Sequence, residues 1–229
     1  MTQITDHLAE IRDRIAKAAT AVGRSADDVM LLAVSKQQSI DAIKEAWQAG
    51  QRPFAESFVQ EALNKMRHLE HLNIEWHFIG RVQANKTRAI AEHFRWVHTI
   101  DRAKIATRLN AHRPEHAPAL NVLIQVNQGG ESQKAGVAVT GLRELAELVA
   151  TQPRLLLRGL MTIPPNTASD AQKARHFEGL RNLAEELSRQ GIEMDVLSMG
   201  MSADFELAIR HGSSCVRVGT ALFGHRKVS

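Results

Sequence analysis

Short runs rich in aliphatic and β-branched residues alternate with longer amphipathic stretches along this 229-residue sequence, and no other feature constrains the fold as strongly. The strand candidates are Met30–Ser35, Arg52–Ala55, Glu75–Ile79, Trp96–Ile100, Asn121–Asn127, Leu155–Thr162, Met194–Ser198 and Ser214–Gly219. Helical periodicity fills the gaps, at Ile40–Ala49, Val59–His68, Asn85–His93, Arg102–Ala111, Leu142–Ala150, Ala171–Gln190 and Ala203–His211. Strands separated by helices pair in parallel, because parallel neighbours need a crossover connection. Eight such units predict a closed α/β barrel of the (β/α)8 TIM type, with residues 1–229 forming one domain. Ahead of the first strand, Ile4, Leu8, Ile11 and Ile15 recur at helical spacing and predict an amphipathic helix.

Composition narrows the function classes. A hydrophobic share of 44% suits one large core. No apolar run nears the roughly 18 residues of a membrane span, and the first residues lack a secretory pattern. Cys215 is the only cysteine, so no intramolecular disulfide forms, and the cytoplasm is the expected compartment. The formal charge of +4 permits an anionic ligand, but Lys and Arg are scattered among acids and tyrosine is absent. A nucleic-acid surface would show a basic stripe interleaved with aromatics, so no such partner is expected. His68 and His71 lie three apart without an HExxH motif or paired cysteines, and read as surface residues rather than metal ligands. No Ser-His-Asp arrangement can be assigned, and Cys215, on a predicted interior face, reads as filler.

A barrel of this type places function where strands end, with phosphate bound after the last two. The first strand runs MLLAVSK, and alternation puts Leu32, Val34 and Lys36 on one face. With Leu32 and Val34 filling the interior, the Lys36 amine stands at the upper mouth. Partial burial there would lower its pKa toward ~7–8, and an uncharged amine attacks an aldehyde to form an imine. Taken alone, a lysine at a strand end reads more readily as a group reaching for solvent. In the last strand, CVRVGT, Cys215, Arg217 and Gly219 share a face. An inward guanidinium needs an acceptor, either a protein carboxylate or a ligand. Gly219-Thr220-Ala221 then opens a short helix, while Gly200-Met201-Ser202 precedes the helix near Ala203 with Ser202 as expected N-cap. Helix starts of this kind bind phosphate through orphan N–H groups. A ligand matching all three features carries an aldehyde, a ring nitrogen and a phosphate, as pyridoxal 5′-phosphate does. His77 shares a face with Glu75 and Ile79 and reads as a core histidine or as a partner one layer behind that ligand.

At these residues the chain resembles the pyridoxal-phosphate homeostasis proteins, single-domain relatives of the alanine racemase N-terminal barrel. WHFIGRVQANK at Trp76–Lys86, AVSK at Ala33–Lys36, RGLMTIP at Arg158–Pro164, SMGMSADFELAI at Ser198–Ile209 and VRVGTALFG at Val216–Gly224 carry the resemblance. It implies Lys36 as the Schiff-base lysine, Arg217 beside the pyridine nitrogen and a phosphate cradle around Met201, Ser202, Gly219 and Thr220. The family segment FGENYVQE is FAESFVQE here, with Ala55, Ser57 and Phe58 in place of Gly, Asn and Tyr. Ser57 retains hydrogen-bonding capacity near the cofactor; Phe58 is expected to keep its ring packing without the hydroxyl. The loop NQGGESQKAG at Asn127–Gly136 reads as a mobile lid, and its Lys134 as a solvated lysine, with a secondary cofactor acceptor as the other reading.

An arginine beside the ring nitrogen disfavours its protonation and weakens the ring as an electron sink. Racemases with this arginine use two bases, one from an added β-domain, and neither such a domain nor any tyrosine is found in this sequence. The expected function is therefore a carrier or reservoir of pyridoxal phosphate with little intrinsic catalysis, monomeric, delivering to pyridoxal-phosphate-dependent apoenzymes. A weak amino-acid racemase or lyase, and a cofactor-free Schiff-base aldolase barrel, are the alternatives.

Overall fold

In a computed structural model of the chain, residues 3–129, 135–165 and 167–224 are described. Eight parallel strands form a closed ring: β1 (Met30–Val34), β2 (Pro53–Glu56), β3 (Glu75–Phe78), β4 (Trp96–Ile100), β5 (Leu120–Asn127), β6 (Leu155–Met161), β7 (Val196–Met201) and β8 (Cys215–Val218). Each pairs with the next in chain order, and β8 returns to β1 with Leu32 opposite Arg217. Helices α2 (Ile40–Gln48), α3 (Val59–His68), α4 (Thr87–His93), α5 (Ala103–His112), α6 (Leu142–Ala150), α7 (Asp170–Arg189) and α8 (Phe205–Arg210) lie between strands, and α9 (Thr220–Phe223) follows β8. This is the expected (β/α)8 barrel. An unanticipated two-residue strand, Val137–Ala138, pairs with the end of β5 outside the ring.

Helix α1 (Gln3–Thr20) buries Leu8, Ile11, Ile15, Ala18 and Ala19, the stripe its spacing predicts. It packs on α8, α9 and α2, covering the seam where β8 meets β1. The Arg14 guanidinium ties it to Glu206 on α8.

The pleat of β1 explains how the site is placed. Leu31 and Ala33 point outward into the large core between strands and helices. Leu32 and Val34 point inward, against Ala55 and Cys215. In β8 the pattern repeats, with Val216 and Val218 outward and Cys215 inward. The same alternation carries Lys36 and Arg217 to the inside, as anticipated from sequence.

Strand boundaries match the sequence reading within about two residues except at β7. Expected at Met194–Ser198, it runs to Met201, with a register irregularity between Ser198 and Met201. Gly200 makes this possible: its φ is +91°, and a β-carbon there would lie 2.6 Å from the Ala208 Cβ. The strand thus bends under α8 where only glycine fits.

Candidate functional site

A cleft of about 320 Å³ opens at the C-terminal end of the strands, a volume at the small end of ligand sites. Lys36, Ser57, Met201, Ser202, Arg217, Gly219 and Thr220 all line it, with Val34, Ile79 and Met161 among the apolar walls. Seven of the eight residues selected from sequence therefore meet in one place. His77 does not line the cleft.

Ser202 departs from its expected role as N-cap of α8. That position belongs to Asp204, whose carboxylate accepts the Met201 N–H at 2.7 Å. The Ser202 hydroxyl crosses instead to the next turn, where the N–H groups of Gly219 and Ala221 donate to it at 3.3 and 3.4 Å. The extended β7 causes the change, because it carries Ser202 past its own helix toward the end of β8. Two backbone donors and one hydroxyl so converge at a single corner of the cleft. A β-carbon on Gly219 would sit 3.3 Å from the Val34 carbonyl oxygen, so the backbone runs close against the cleft wall.

Arg217 is buried, with 4% exposure, and is held by uncharged groups. Its Nη1 donates to Ser198 Oγ at 2.8 Å and its Nη2 to the Thr162 carbonyl at 3.0 Å. Ser198 Oγ lies 3.0 Å from His98 Nδ1, His98 Nε2 lies 2.9 Å from His77 Nδ1, and His77 Nε2 lies 2.9 Å from a Glu75 carboxylate oxygen. Donor counting orders this chain in one direction. Ionised Glu75 can only accept, so His77 donates from Nε2 and, being neutral, accepts at Nδ1. His98 must then donate from Nε2 and accept the Ser198 hydroxyl proton at Nδ1, leaving Ser198 to accept from Arg217. Burial pushes the His77 pKa below its usual value, and burial beside His77 and Arg217 pushes that of His98 well below. The bond from His77 lowers the Glu75 pKa. His77 also stacks on Trp96, with ring centroids 5.3 Å apart. It is thus a satisfied core histidine that reaches Arg217 only through His98 and Ser198.

Sequence reasoning missed His98 and Ser198. Alternation along WVHTI puts Trp96, His98 and Ile100 on one face, so an inward histidine beside His77 was open to inference. A second polar group was also missed, behind Lys36. Lys65 on α3 donates to Glu56 at 2.8 Å, to Glu61 at 2.6 Å and to the Ser35 carbonyl at 2.7 Å. Only the i,i+4 pair Glu61–Lys65 was visible in the sequence; Glu56 joins it through the turn from β2 into α3.

Phe58 corrects another expectation, since its ring is 54% exposed and is not packed in the core. Cys215 is buried among Leu32 and Ala55, and burial pushes its thiol pKa up to about 11, which leaves it an inert wall group. Among the described residues no group of three or more His, Cys, Asp or Glu is arranged to hold a metal. Lys134 and half of the expected lid fall outside the described residues.

The chain as a whole has known relatives. The family model for the alanine racemase N-terminal domain matches residues 7–227. A protein of Escherichia coli K12 named pyridoxal phosphate homeostasis protein is 51% identical, over 100% of this chain and 99% of its own length. One of the same name from Pseudomonas aeruginosa is 50% identical over 99% of this chain and 97% of its own. PipY of Synechococcus elongatus, solved with pyridoxal phosphate bound, superposes with a TM-score of 0.86 at 36% identity, covering 97% of this chain and 100% of that one. With a barrel of this design, and near-complete coverage of relatives half identical to it, the chain belongs to the pyridoxal phosphate homeostasis protein family.

Proposed function

We propose that this protein binds pyridoxal 5′-phosphate in the cleft and serves as a carrier or reservoir of it, with Lys36 as the point of covalent attachment. The observation that carries the reading is the meeting of an amine, an inward guanidinium and a converging set of N–H and hydroxyl groups in one cleft. PipY, a 36% identical relative solved with pyridoxal phosphate bound, supports it.

The residues fit this ligand one by one. The Ser202 hydroxyl proton is left to donate to a phosphate oxygen, and the phosphate would take the N–H groups of Gly219 and Ala221 in place of Ser202 Oγ. Arg217 has no acceptor atom, and the bonds to Ser198 and Thr162 engage only two of its five N–H donors. A ring nitrogen beside it must accept a hydrogen bond and so remains unprotonated. Val34, Ile79 and Met161 supply apolar walls, and Ser57 a hydroxyl at the rim. Bound there, the ligand supplies an aldehyde for condensation with an amine and a conjugated ring.

Little intrinsic turnover is expected because Arg217 does not protonate the ring nitrogen, which leaves the ring a weaker electron sink for carbanion chemistry. The sequence contains no tyrosine, so a phenolic second base has no source within it. His77 acts behind Arg217, through His98 and Ser198, rather than on the ligand. Apoenzymes that require the cofactor are the proposed recipients, the protein acts as a monomer in the cytoplasm, and among the described residues no helix is long and apolar enough to cross a membrane.

Incubating the loaded protein with L-alanine or L-serine and resolving the enantiomers tests the reading, alongside transfer to a cofactor-free acceptor enzyme. Reactivation of the acceptor without D-product is the expected result. D-product that disappears in Lys36→Ala would establish an enzyme instead.

A further inference from the structure

The two residues flanking Lys36 are fixed from outside the barrel by one ionic cluster. On one side, the Ser35 N–H donates to the Ala55 carbonyl at 3.0 Å, and its hydroxyl donates to Glu56 Oε1 at 2.7 Å. The Ser35 carbonyl accepts from Lys65 Nζ at 2.7 Å and from the Gln38 N–H at 3.0 Å. On the other side, the Gln37 N–H donates to Glu61 Oε1 at 2.5 Å. Lys65 joins the two halves through Glu56 and Glu61, and its side chain is only 5% exposed. Its three ammonium protons meet three acceptors: two carboxylates and the Ser35 carbonyl.

Two features of this arrangement are unfavourable for stability alone. Burying an ion pair forfeits hydration that a hydrophobic replacement would not need. Burial raises the Glu56 pKa despite Lys65, and its second oxygen, Oε2, is buried without a hydrogen-bond partner. Gln37 holds φ at +59°, the only non-glycine residue among those described with a left-handed backbone. Such strain persists where surrounding contacts over-determine the backbone, and it concentrates at functional sites. Here the strain falls on one immediate neighbour of Lys36, and the buried ion pair is hydrogen-bonded to the other.

We infer that Lys65, together with Glu56 and Glu61, is a positioning group for Lys36, fixing the backbone from which the amine reaches the cleft. The inference rests on the proposed role of Lys36 as attachment point. A lysine side chain has four rotatable bonds, so the direction of its Cα–Cβ bond decides whether the amine meets its target in a productive geometry. The cluster sets that direction by locking Ser35 and Gln37, without touching the ligand.

The test separates attachment from binding. Pyridoxine 5′-phosphate lacks the aldehyde and reports on the phosphate and ring contacts alone. Pyridoxal 5′-phosphate, trapped with borohydride and mapped to Lys36, reports attachment. Lys65→Met strands two carboxylates and risks loss of the fold, so Glu61→Ala is the primary variant, with folding checked by thermal melting. We expect Glu61→Ala to slow attachment about tenfold or more while changing pyridoxine phosphate affinity less than about twofold. Glu61→Gln, which keeps an oxygen for the Gln37 N–H, should recover much of the rate. Adding Gln37→Gly to Glu61→Ala should recover part of it, since glycine adopts positive φ without help. Equal attachment rates in folded Glu61→Ala and the unaltered protein would overturn the inference, as would a parallel loss of pyridoxine phosphate binding. If the unaltered protein itself never attaches the aldehyde at Lys36, the proposed function fails and this inference with it; that outcome is distinguished by needing no variant.

Discussion

Lys36 and Arg217 enter one cleft from neighbouring strands, yet opposite chemistry holds them. Arg217 lies deeper, level with Leu32 in the ladder, and among the described residues it is hydrogen-bonded to neutral groups, a serine and a carbonyl, with two histidines in line behind the serine. Lys36 sits past the end of its strand at the mouth, and full charges fix its neighbours from the helix layer. Depth accounts for the contrast. Inside the ring a second charge would lose its hydration without a compensating partner, so Arg217 is linked to Glu75 by relayed hydrogen bonds. At the rim, α3 can bring a lysine against two carboxylates, one of them 27% exposed. A buried cation can therefore be held either by polarised neutral acceptors or by direct ion pairing, and this barrel uses both.

The sharpest way to break the contrast is Lys65→Ala. It leaves Glu56 and Glu61 facing each other without a cation, and we expect a loss of about 3–5 kcal/mol in chemical denaturation. A loss under about 1 kcal/mol would mean that the rim cluster is as dispensable as a surface pair.

The interior chain should respond to acid in a way the rim cluster does not. His77 and His98 have folded-state pKa values below their unfolded ones. Below about pH 6.5 the unfolded chain therefore binds protons that the native state refuses, and stability falls with pH by up to about 2.7 kcal/mol per unit for the two together. The depressed Glu75 pKa adds a loss in the same direction at lower pH. Glu56 opposes it, because a raised carboxyl pKa means that the folded state holds its proton longer as pH rises. Denaturant midpoints between pH 5 and 7 should show the decline, and His98→Gln should make it about half as steep. An unchanged slope in that variant would remove His98 from the account.

Ser198→Ala tests the link between the two halves of that chain. Arg217 and His98 each lose a partner, and about 1–3 kcal/mol of stability should go with them. The smallest effect belongs to Phe58→Tyr, which restores the hydroxyl expected in the family segment. Its ring is exposed, so a stability change within about 0.5 kcal/mol is expected.

The period-2 pattern of MLLAVSK and CVRVGT was enough to place Lys36 and Arg217 inside, because in a closed ring one face of every strand has nowhere else to go. Eight regular alternations likewise made the barrel legible. What escaped was contact between elements. The Ser202 hydroxyl bridges to Gly219 and Ala221 because β7 runs further than its apolar residues suggest, through a glycine at positive φ. Glu56 and Lys65 meet across a strand-to-helix turn, and ion pairs of that kind leave no periodic trace. His98 could have been paired with His77 from alternation on adjacent strands, whereas its onward bond to Ser198 spans 100 residues.

The most direct measurement is to add pyridoxal 5′-phosphate to the purified apoprotein, reduce with borohydride and locate the modified residue by peptide mass mapping. Attachment at Lys36 predicts a visible absorption band that reduction removes, and one stoichiometric modification, on that residue. No band, or stoichiometric labelling at another lysine with Lys36 intact, would contradict it.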